Sequence, residues 1–458
     1  MEKVKYDLAI VGGGAAGLVA GVAAGAVGAK TAIVEKDGRL GGECSWTGCV
    51  PSKALIHQAS LAYRCGCRPD GNVMEKVRAT IQKASKASKA KSLLERYGVD
   101  IYYGKPGFKN NKALVIDNGT VIEANKYILC TGSSALIPEI EGLVEGYQTN
   151  QHIWDLPDLP ESLLIIGGGP IGTEMAQAFH RLGTKVTLFH SRDKLLPRDD
   201  QELAHELTEM LIADGIDIRL NTRIKKVEKN EQGWMVEAGE EKIYGRHLLI
   251  ALGRQANTDG LNLEAAGVEY NTIGIGVNSH MRTTARNIWA AGDCTGGLRF
   301  SHIAEIEGKS AVRNALFPLN SRVDYQGSPW ATFTEPELAH LGLTEEECKK
   351  LGYRYRIYSQ EFAGDDRAIT DGATRGRVKI IASPYGKILG AHILGPRAGE
   401  LINEFILARR KGLRLHEIGL TVHVYPTLGM AVQRATDEWF SEIADKPLLK
   451  LITKLARR

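Results

Sequence analysis

Two copies of one pattern, a short apolar strand followed by a glycine-rich loop and a helix, constrain the fold of this chain most. The first copy begins with the run Tyr6–Val11 and the second with the run Ser162–Ile166. Glycines after such a strand allow a tight turn and let a pyrophosphate approach the N-terminus of the helix. The sequence therefore predicts an α/β protein with two Rossmann-like nucleotide-binding domains. The predicted nucleotide-binding glycines are Gly12, Gly14 and Gly17 in the first copy and Gly167, Gly169 and Gly172 in the second.

The two copies differ at the position that would contact a ribose. Glu35 follows the first glycine of its loop by 23 positions (35 − 12), where a carboxylate accepts hydrogen bonds from ribose hydroxyls. The same offset in the second copy (190 − 167) leads to His190, and Arg192 and Arg198 follow it. An arginine near this position accommodates a ribose 2′-phosphate. We therefore expect NADPH to be preferred, with NADH also accepted; solvated arginines without a ligand are the alternative.

A stretch with two cysteines lies directly after the first nucleotide unit. It runs from Gly41 to Lys53 and reads Gly-Gly-Glu-Cys-Ser-Trp-Thr-Gly-Cys-Val-Pro-Ser-Lys. If this stretch begins a helix, the sulfurs of Cys44 and Cys49 lie on adjoining turns, where they can form and open a disulfide. A helix N-terminus favours the thiolate, and Lys53 adds a positive charge one turn after Cys49. A redox pair and a structural pair of cysteines both remain open at this point.

These motifs, in this order, resemble those of the flavoprotein disulfide reductases, the class I pyridine nucleotide-disulfide oxidoreductases. That family includes dihydrolipoyl dehydrogenase, glutathione reductase and mercuric reductase, and the resemblance extends from about Tyr6 to about Asp437. It implies FAD in the first unit and NAD(P) in the second. It also implies that Cys49 is nearer the flavin, that Cys44 exchanges with substrate, and that Lys53 lies near the flavin and pairs with Glu174.

Three further segments carry the resemblance along the chain. Tyr127–Gly132 resembles the family's crossover segment beside the flavin, and Leu248–Gly253 resembles the end of its NAD(P) domain. Thr284–Asp293 resembles the second FAD motif, whose aspartate holds the ribityl chain. The cofactor-binding residues that these segments imply are Thr131, Gly132, Gly253 and Asp293.

The resemblance also implies a domain order. Phe333 to Glu337, which reads Phe-Thr-Glu-Pro-Glu, is similar to the start of the family's α+β dimerisation domain. In the family this domain completes the active site of the partner subunit, so a homodimer is expected. The expected segments are an FAD-binding domain with the redox pair at 1–148, an NAD(P)-binding domain at 149–274, a return segment of the FAD domain at 275–322, the dimerisation domain at 323–445 and a basic amphipathic tail at 446–458.

The resemblance breaks near the C-terminus. Dihydrolipoyl dehydrogenase and glutathione reductase place a His-Pro-Thr here, and a glutamate orients that histidine as an acid–base catalyst. In this chain Tyr425 stands at the histidine position and Met430 at the glutamate position. A tyrosine is a poor proton shuttle near neutral pH. His423 lies two residues earlier, on the same side of an extended segment, and could substitute.

The substituted histidine bears on the electron acceptor. With a tyrosine at this position, the chain resembles mercuric reductase. A soft metal ion held by two thiolates takes electrons without protonation of a leaving thiol. We therefore expect an NAD(P)H-dependent FAD enzyme that reduces a soft metal ion or an unusual disulfide. One alternative is dihydrolipoyl dehydrogenase or a low-molecular-weight disulfide reductase. Another is a redox-sensing or electron-delivering flavoprotein subunit.

A second cysteine pair, Cys65 and Cys67, lies in a predicted loop from Tyr63 to Asn72. It could relay electrons or bind a soft metal. Two ligands make only half of a typical site, so no resident metal site is predicted.

Composition excludes several other functions. A net charge of +4 over 458 residues does not indicate nucleic-acid binding. The N-terminus lacks the pattern of a signal peptide, and no apolar run is long enough to span a bilayer. The cysteines outside the two close pairs are scattered, so a cytoplasmic protein is expected. The tail Lys446–Arg458 alternates leucines and basic residues at helical spacing. We favour a helix packed on its own dimer over contact with a membrane surface.

Overall fold

The computed structural model describes residues 3–67, 71–84, 87–318, 321–325 and 327–444, so the tail predicted at 446–458 lies outside the described residues. The strands are β1 Lys3–Val11, β2 Thr31–Glu35, β3 Val99–Tyr103, β4 Pro106–Asn110, β5 Ala113–Ile116, β6 Val121–Leu129, β7 Ser133–Ala135, β8 Ser162–Ile166, β9 Lys185–Phe189, β10 Asp217–Arg219, β11 Lys226–Asn230, β12 Gly233–Ala238, β13 Glu241–Gly245, β14 His247–Ile250, β15 Arg254–Ala256, β16 Ile288–Ala290, β17 Pro329–Thr332, β18 Glu337–Gly342, β19 Arg356–Glu361, β20 Arg377–Ala382 and β21 Ile388–Gly395. The α-helices are α1 Ala15–Ala26, α2 Gly42–Trp46, α3 Cys49–Cys65, α4 Val73–Ala84, α5 Ala87–Arg96, α6 Pro170–Arg181, α7 Gln201–Ala213, α8 Ser301–Leu316, α9 Glu345–Lys350, α10 Asp366–Thr370, α11 Ala398–Lys411, α12 Leu415–Gly419 and α13 Gly429–Ala444.

The chain divides into two compact units, each made of separate stretches. The first unit comprises Met1–Gln58, Pro69–Pro160 and Leu249–Asp324. Its sheet has the order β3-β2-β1-β6-β5-β4, with β16 beside β6, and β1 pairs in parallel with both β2 and β6. All five residues of β2 are buried, as expected for a parallel strand covered on both faces. The glycine loop after β1 therefore lies at the carboxyl edge of the sheet, where α/β proteins bind nucleotides.

The second unit comprises Ala59–Arg68, Glu161–Leu248 and Tyr325–Arg458. It contains a sheet of order β10-β9-β8-β14, in which β9 is parallel to both β8 and β10. It also contains an antiparallel β11-β12-β13 sheet and a five-stranded antiparallel sheet of order β17-β18-β21-β20-β19. Residues of α11, α12 and α13 form one buried cluster with this last sheet. The predicted fold class, two Rossmann-like regions and a C-terminal α+β region, is confirmed.

The redox stretch differs from the single helix that we expected. Helix α2 ends at Trp46 and α3 begins at Cys49. Pro51 explains the break, because within a continuous helix its ring would clash with the carbonyl of Thr47, four residues earlier. That carbonyl instead accepts a hydrogen bond from Trp154 Nε1 at 2.9 Å.

The expected loop from Tyr63 was also placed too early. Helix α3 continues to Cys65, and the chain leaves it through Gly66, whose φ of +59° is in the left-handed region that favours glycine. Among the described residues, no helix combines the length and the apolar character needed to cross a membrane.

Candidate active site

The first glycine loop places a helix N-terminus and a carboxylate side by side. The Gly13 N–H donates to Glu35 Oε2 at 2.7 Å, and the Asp37 N–H donates to Oε1 at 2.9 Å. Helix α1 has Gly14 at its N-cap, without a capping side chain and without an acidic residue in its first turn. A Cβ added at Gly14 would have one neighbour within 4 Å, the Gly42 Cα at 3.9 Å, so no side chain covers the helix N-terminus at this point. This cradle fits the pyrophosphate and ribose of a dinucleotide such as FAD.

Two of the predicted glycines hold this loop in shape. A Cβ on Gly12, whose φ is +106°, would lie 2.2 Å from the Cys130 carbonyl oxygen. A Cβ on Gly17 would lie 1.9 Å from the Gly12 carbonyl oxygen. Larger residues at either position would push the loop away from β6 and from its own helix.

The redox stretch is fixed directly on this loop. The Gly41 N–H donates to the Gly13 carbonyl at 2.9 Å. Gly42, with φ of +58°, approaches so closely that an added Cβ would lie 2.8 Å from the Gly14 Cα. Cys44 therefore lies two residues after a backbone contact with the nucleotide loop.

Cys44 and Cys49 are brought together although they lie in different helices. A hydrogen bond with Cys49, followed by burial, raises the pKa of the Cys44 thiol. The expectation that a helix N-terminus favours the thiolate therefore does not describe Cys44, which lies in the middle of a five-residue helix. Ser301, the first residue of α8, places its Oγ 3.9 Å from Cys49 Sγ and acts in the opposite direction, lowering the pKa of Cys44.

Four residues expected beside the flavin lie in two connected groups. In the first, Thr131 Oγ1 donates to the Asn257 carbonyl at 2.7 Å, and the Asn257 N–H donates to the Gly132 carbonyl at 3.0 Å. Gly253, with φ of +128°, accepts the Leu136 N–H at 2.9 Å. These bonds continue the pairing of β7 with β15 and fix the crossover segment.

The second group surrounds Asp293. Its Oδ2 accepts a hydrogen bond from Ser133 Oγ at 2.6 Å and lies 3.6 Å from the Arg254 guanidinium. Arg254 also pairs with Glu43, the residue before Cys44. The carboxylate predicted to hold a ribityl chain is thus linked through one arginine to the redox stretch.

Lys53 and Glu174 lie in different compact units, so their expected pairing stays a prediction. Lys53 Nζ donates to Ser52 Oγ at 3.3 Å. Glu174, 5% exposed on α6, accepts the Phe333 N–H at 2.9 Å.

The second glycine loop repeats the first with a changed side chain. The Gly168 N–H donates to His190 Nδ1 at 3.2 Å, just as the Gly13 N–H donates to Glu35. Burial, together with the nearby charge of Arg192, lowers the pKa of His190. The lowered pKa favours the neutral ring. The second unit therefore has a neutral imidazole where the first has a carboxylate, and such a ring does not repel a phosphorylated ribose.

This second cradle is also open. Helix α6 has Gly169 at its N-cap without a capping side chain, and a Cβ added there would meet no atom within 4 Å. Gly172, on the first turn of α6, is buried. Arg192 and Arg198 are exposed on the loop that follows β9. The residues fit an NADP-type nucleotide.

The C-terminal segment contains a histidine–glutamate pair that the sequence did not reveal. His423 Nε2 lies 2.9 Å from Glu404 Oε1, and its Nδ1 lies 2.9 Å from the Thr421 carbonyl oxygen. Glu404 lies on α11, so a glutamate from another element contacts His423, although Met430 stands at the family's glutamate position. Tyr425 is 64% exposed in the chain described here.

Sequence reasoning missed Ser301, Glu43 and Glu404 as site residues. Glu43 could have been found, since it adjoins Cys44. Ser301 and Glu404 stand in no recognisable motif, and only the fold brings them to Cys49 and His423.

Comparisons with known proteins agree with this geometry. The model of the pyridine nucleotide-disulphide oxidoreductase family matches residues 6–308, and the model of that family's dimerisation domain matches residues 328–436. The chain is 35% identical to the mercuric reductase of Streptomyces lividans, covering 96% of this chain and 97% of that protein. It is 32% identical to the dihydrolipoyl dehydrogenase of Thermus scotoductus, covering 94% and 97%.

A solved structure of a flavoprotein disulfide reductase has the same fold as this chain. The HOCl-induced flavoprotein disulfide reductase RclA from Escherichia coli, in a Cu(II) complex, superposes with a TM-score of 0.88 at 28% identity. The superposition covers 96% of this chain and 100% of that one.

Proposed function

The chain belongs to the pyridine nucleotide-disulphide oxidoreductase family, whose members are FAD-dependent enzymes that use NAD(P)H, and from this premise we propose that Cys44 and Cys49 are its redox pair. The acceptor that we propose is a soft metal ion or an unusual disulfide. When bound, FAD supplies the two-electron chemistry that links a hydride donor to a thiol pair. Cys49 would exchange electrons on the flavin side, and Cys44 would contact the acceptor.

One observation carries this proposal: the redox stretch is hydrogen-bonded to the first nucleotide loop through Gly41 and Gly13. A structural disulfide would not need to contact that loop. The pair's sulfurs are also held close enough for a hydrogen bond between Cys44 and Cys49. Ser301 supplies a hydroxyl that supports the thiolate form of Cys44.

The substituted histidine position supports an acceptor that needs no proton. Tyr425 stands where the family's disulfide reductases place an acid–base histidine. A tyrosine is a poor proton shuttle near neutral pH. Reduction of a metal ion held by two thiolates produces no thiol leaving group and needs no such residue. Two residues before Tyr425, His423 pairs with Glu404.

The same pair favours the second candidate, a dihydrolipoyl dehydrogenase or low-molecular-weight disulfide reductase. A glutamate that orients a histidine is the arrangement of an acid–base catalyst. If the contact between His423 and Thr421 opens in the working enzyme, His423 gains a lone pair directed away from Glu404.

We also propose that NADPH is the preferred donor and that the enzyme is a homodimer with the domain limits predicted from the sequence. His190, which stands where the first unit has the carboxylate of Glu35, supports the preference for NADPH. The match to the dimerisation domain supports the second, as does the exposed apolar run from Leu420 to Tyr425. Such a run on a chain's surface is typical of an interface.

Steady-state assays of the FAD-bound enzyme with NADPH test the choice of acceptor. We expect fast turnover of Hg(II) and slow turnover of lipoamide and glutathione disulfide. Fast lipoamide turnover that is lost in His423→Ala would support the second candidate and contradict the first. Equal or better efficiency with NADH would contradict the coenzyme proposal.

A further inference from the structure

The proposed reaction does not use the second cysteine pair. Cys65 and Cys67 form a disulfide at the C-terminal end of α3, with Cα atoms 5.2 Å apart and one residue between them. Both residues are exposed. The chain's other cysteines outside the redox stretch, Cys130, Cys294 and Cys348, are buried.

The backbone, and not the disulfide, fixes the position of these two residues. The Cys67 N–H donates to the Ala62 carbonyl at 3.2 Å, and the Gly66 N–H donates to the Tyr63 carbonyl at 3.3 Å. With Gly66 in the left-handed region, these two bonds form a Schellman motif. The motif closes the helix whether or not the sulfurs are joined. Reduction would therefore leave two thiols beside each other on a formed backbone.

The side chains before the pair fix the helix end within the second unit, to which residues 59–68 belong. The Arg181 guanidinium lies 3.9 Å from the centre of the Tyr63 ring. Arg64 donates through Nε to Glu335 at 3.1 Å, and Arg181 pairs with the same carboxylate. The two cysteines thus stand on a supported helix end and not on a free loop.

Stabilisation does not account for this disulfide. A crosslink stabilises a protein mainly by restricting the unfolded chain, and the effect is smallest for the shortest loops. A bridge across one residue restricts very little that the helix end does not already fix.

Electron transfer by direct contact with Cys49 does not account for it either. Cys49 is the first residue of α3 and Cys65 the last, and a helix of 17 residues is about 25 Å long. The sulfurs of the two pairs in one chain cannot meet across that length.

Metal chemistry fits two exposed sulfurs. Among the residues that the structure describes, no group of three or more His, Cys, Asp or Glu side chains could hold a metal ion. A site with only two thiolates does not suit zinc, which takes four ligands. It suits soft cations that accept two sulfur ligands.

We propose that the reduced Cys65–Cys67 pair captures a soft, two-coordinate metal cation. An external dithiol first reduces the pair: the S–S bond breaks, two thiols form, and the dithiol becomes a disulfide. A divalent cation then displaces the two thiol protons and forms two metal–sulfur bonds. This capture site extends the proposed function, the reduction of a soft metal ion. It rests on that proposed function only for what happens to the ion after capture.

The test uses the full-length, FAD-bound protein in a Cys44→Ser/Cys49→Ser background, which removes the redox pair. The protein is reduced with dithiothreitol, freed of it anaerobically and dialysed against Hg(II) buffered by glutathione. The matched control carries Cys65→Ser and Cys67→Ser in addition. We expect about one Hg(II) retained per chain in the background protein and at least tenfold less in the control.

Equal retention in the two proteins would overturn the capture site. A Gly66→Asn and Gly66→Val pair gives a second measurement, because asparagine tolerates the left-handed region and valine does not. Retention should be kept in Gly66→Asn and weakened in Gly66→Val; the same affinity in both would contradict a pair held by the backbone. Wild-type NADPH-dependent Hg(II) turnover is measured separately, so failure of the proposed function is distinguished from failure of the capture site.

Discussion

His190 occupies in the second nucleotide unit the position that Glu35 occupies in the first. Each side chain accepts the N–H of the second glycine in its loop, at 3.2 Å and 2.7 Å respectively. The two side chains then differ in charge: the Glu35 carboxylate repels a phosphate group on the ribose, and the His190 imidazole does not. The two loops, Gly-Gly-Gly-Ala-Ala-Gly and Gly-Gly-Gly-Pro-Ile-Gly, thus make the same backbone contact with side chains of different chemistry.

We predict that His190→Glu reverses the coenzyme preference. The new carboxylate would repel a 2′-phosphate and accept hydrogen bonds from the hydroxyls of NADH. Charge-assisted hydrogen bonds contribute about 1.5–3 kcal/mol, so kcat/KM for NADPH should fall about tenfold to a hundredfold. His190→Gln is the neutral control and should show a smaller change. An unaltered ratio of the two efficiencies in His190→Glu would show that this position does not contact the ribose.

A second prediction concerns His423, which joins Glu404 to the backbone of Thr421. If His423 holds the segment in place and takes no part in proton transfer, His423→Gln should keep Hg(II) turnover within about twofold. Removing a general base that the reaction uses would lower turnover a hundredfold or more. Loss of the hydrogen bond between His423 and Glu404 should lower the free energy of unfolding by about 1 kcal/mol. A hundredfold loss of turnover, together with loss of a pH-dependent limb of the rate profile, would identify His423 as the catalytic base. Glu404→Gln should behave as His423→Gln does.

At the scale of elements, a buried carboxylate connects the start of α7 to β17. Asp199 is 5% exposed, and its Oδ1 accepts the Trp330 Nε1–H at 2.9 Å. Burial raises the pKa of Asp199 from 3.8 to about 7, against the opposing effect of the Trp330 hydrogen bond. The folded protein therefore binds a proton that the unfolded chain releases between these two pH values.

This carboxylate should make stability fall with rising pH. Its contribution is fully present below about pH 4 and is lost as the pH rises to about 7. Asp199→Asn keeps an acceptor for Trp330 and removes the charge. We predict little change in the free energy of unfolding at pH 4 and a gain on the order of 2 kcal/mol at pH 8. Urea unfolding at pH 4 and pH 8 measures this change in the free energy of unfolding. The same change at both pH values would contradict a raised pKa of Asp199.

The sequence specified some elements closely and others incompletely, for physical reasons. Strand β8 was predicted at its observed limits because its buried apolar run ends at Gly167. The break between α2 and α3 was missed because a proline also fits the first turn of a helix, so Pro51 does not by itself mark where a helix ends. Glu404 could not be predicted as a partner of His423, since no local pattern marks a contact made by two elements of the fold. The limits predicted for the domains stay predictions.

At the scale of the whole molecule, the apolar run near the C-terminus predicts an interface between copies of the chain. Val422 is 94% exposed and Leu420 73% exposed, although both are aliphatic. We predict that Val422→Asp raises the dissociation constant of the homodimer at least tenfold, because a charge would be buried without a partner. Sedimentation velocity over a range of concentrations measures it. Tyr385→Asp, at another exposed apolar residue, is the matched control, and equal weakening by both would argue against this interface.

The central claim is that the Cys44–Cys49 pair stores two electrons, and an anaerobic titration with NADPH tests it most directly. The titration uses FAD-bound protein with Cys65→Ser and Cys67→Ser, so that the second disulfide takes up nothing. We predict that this protein accepts two electrons beyond those that reduce the flavin, and that adding Cys49→Ser abolishes the extra uptake. A titration that ends when the flavin is reduced, or an extra uptake that survives Cys49→Ser, would contradict the account.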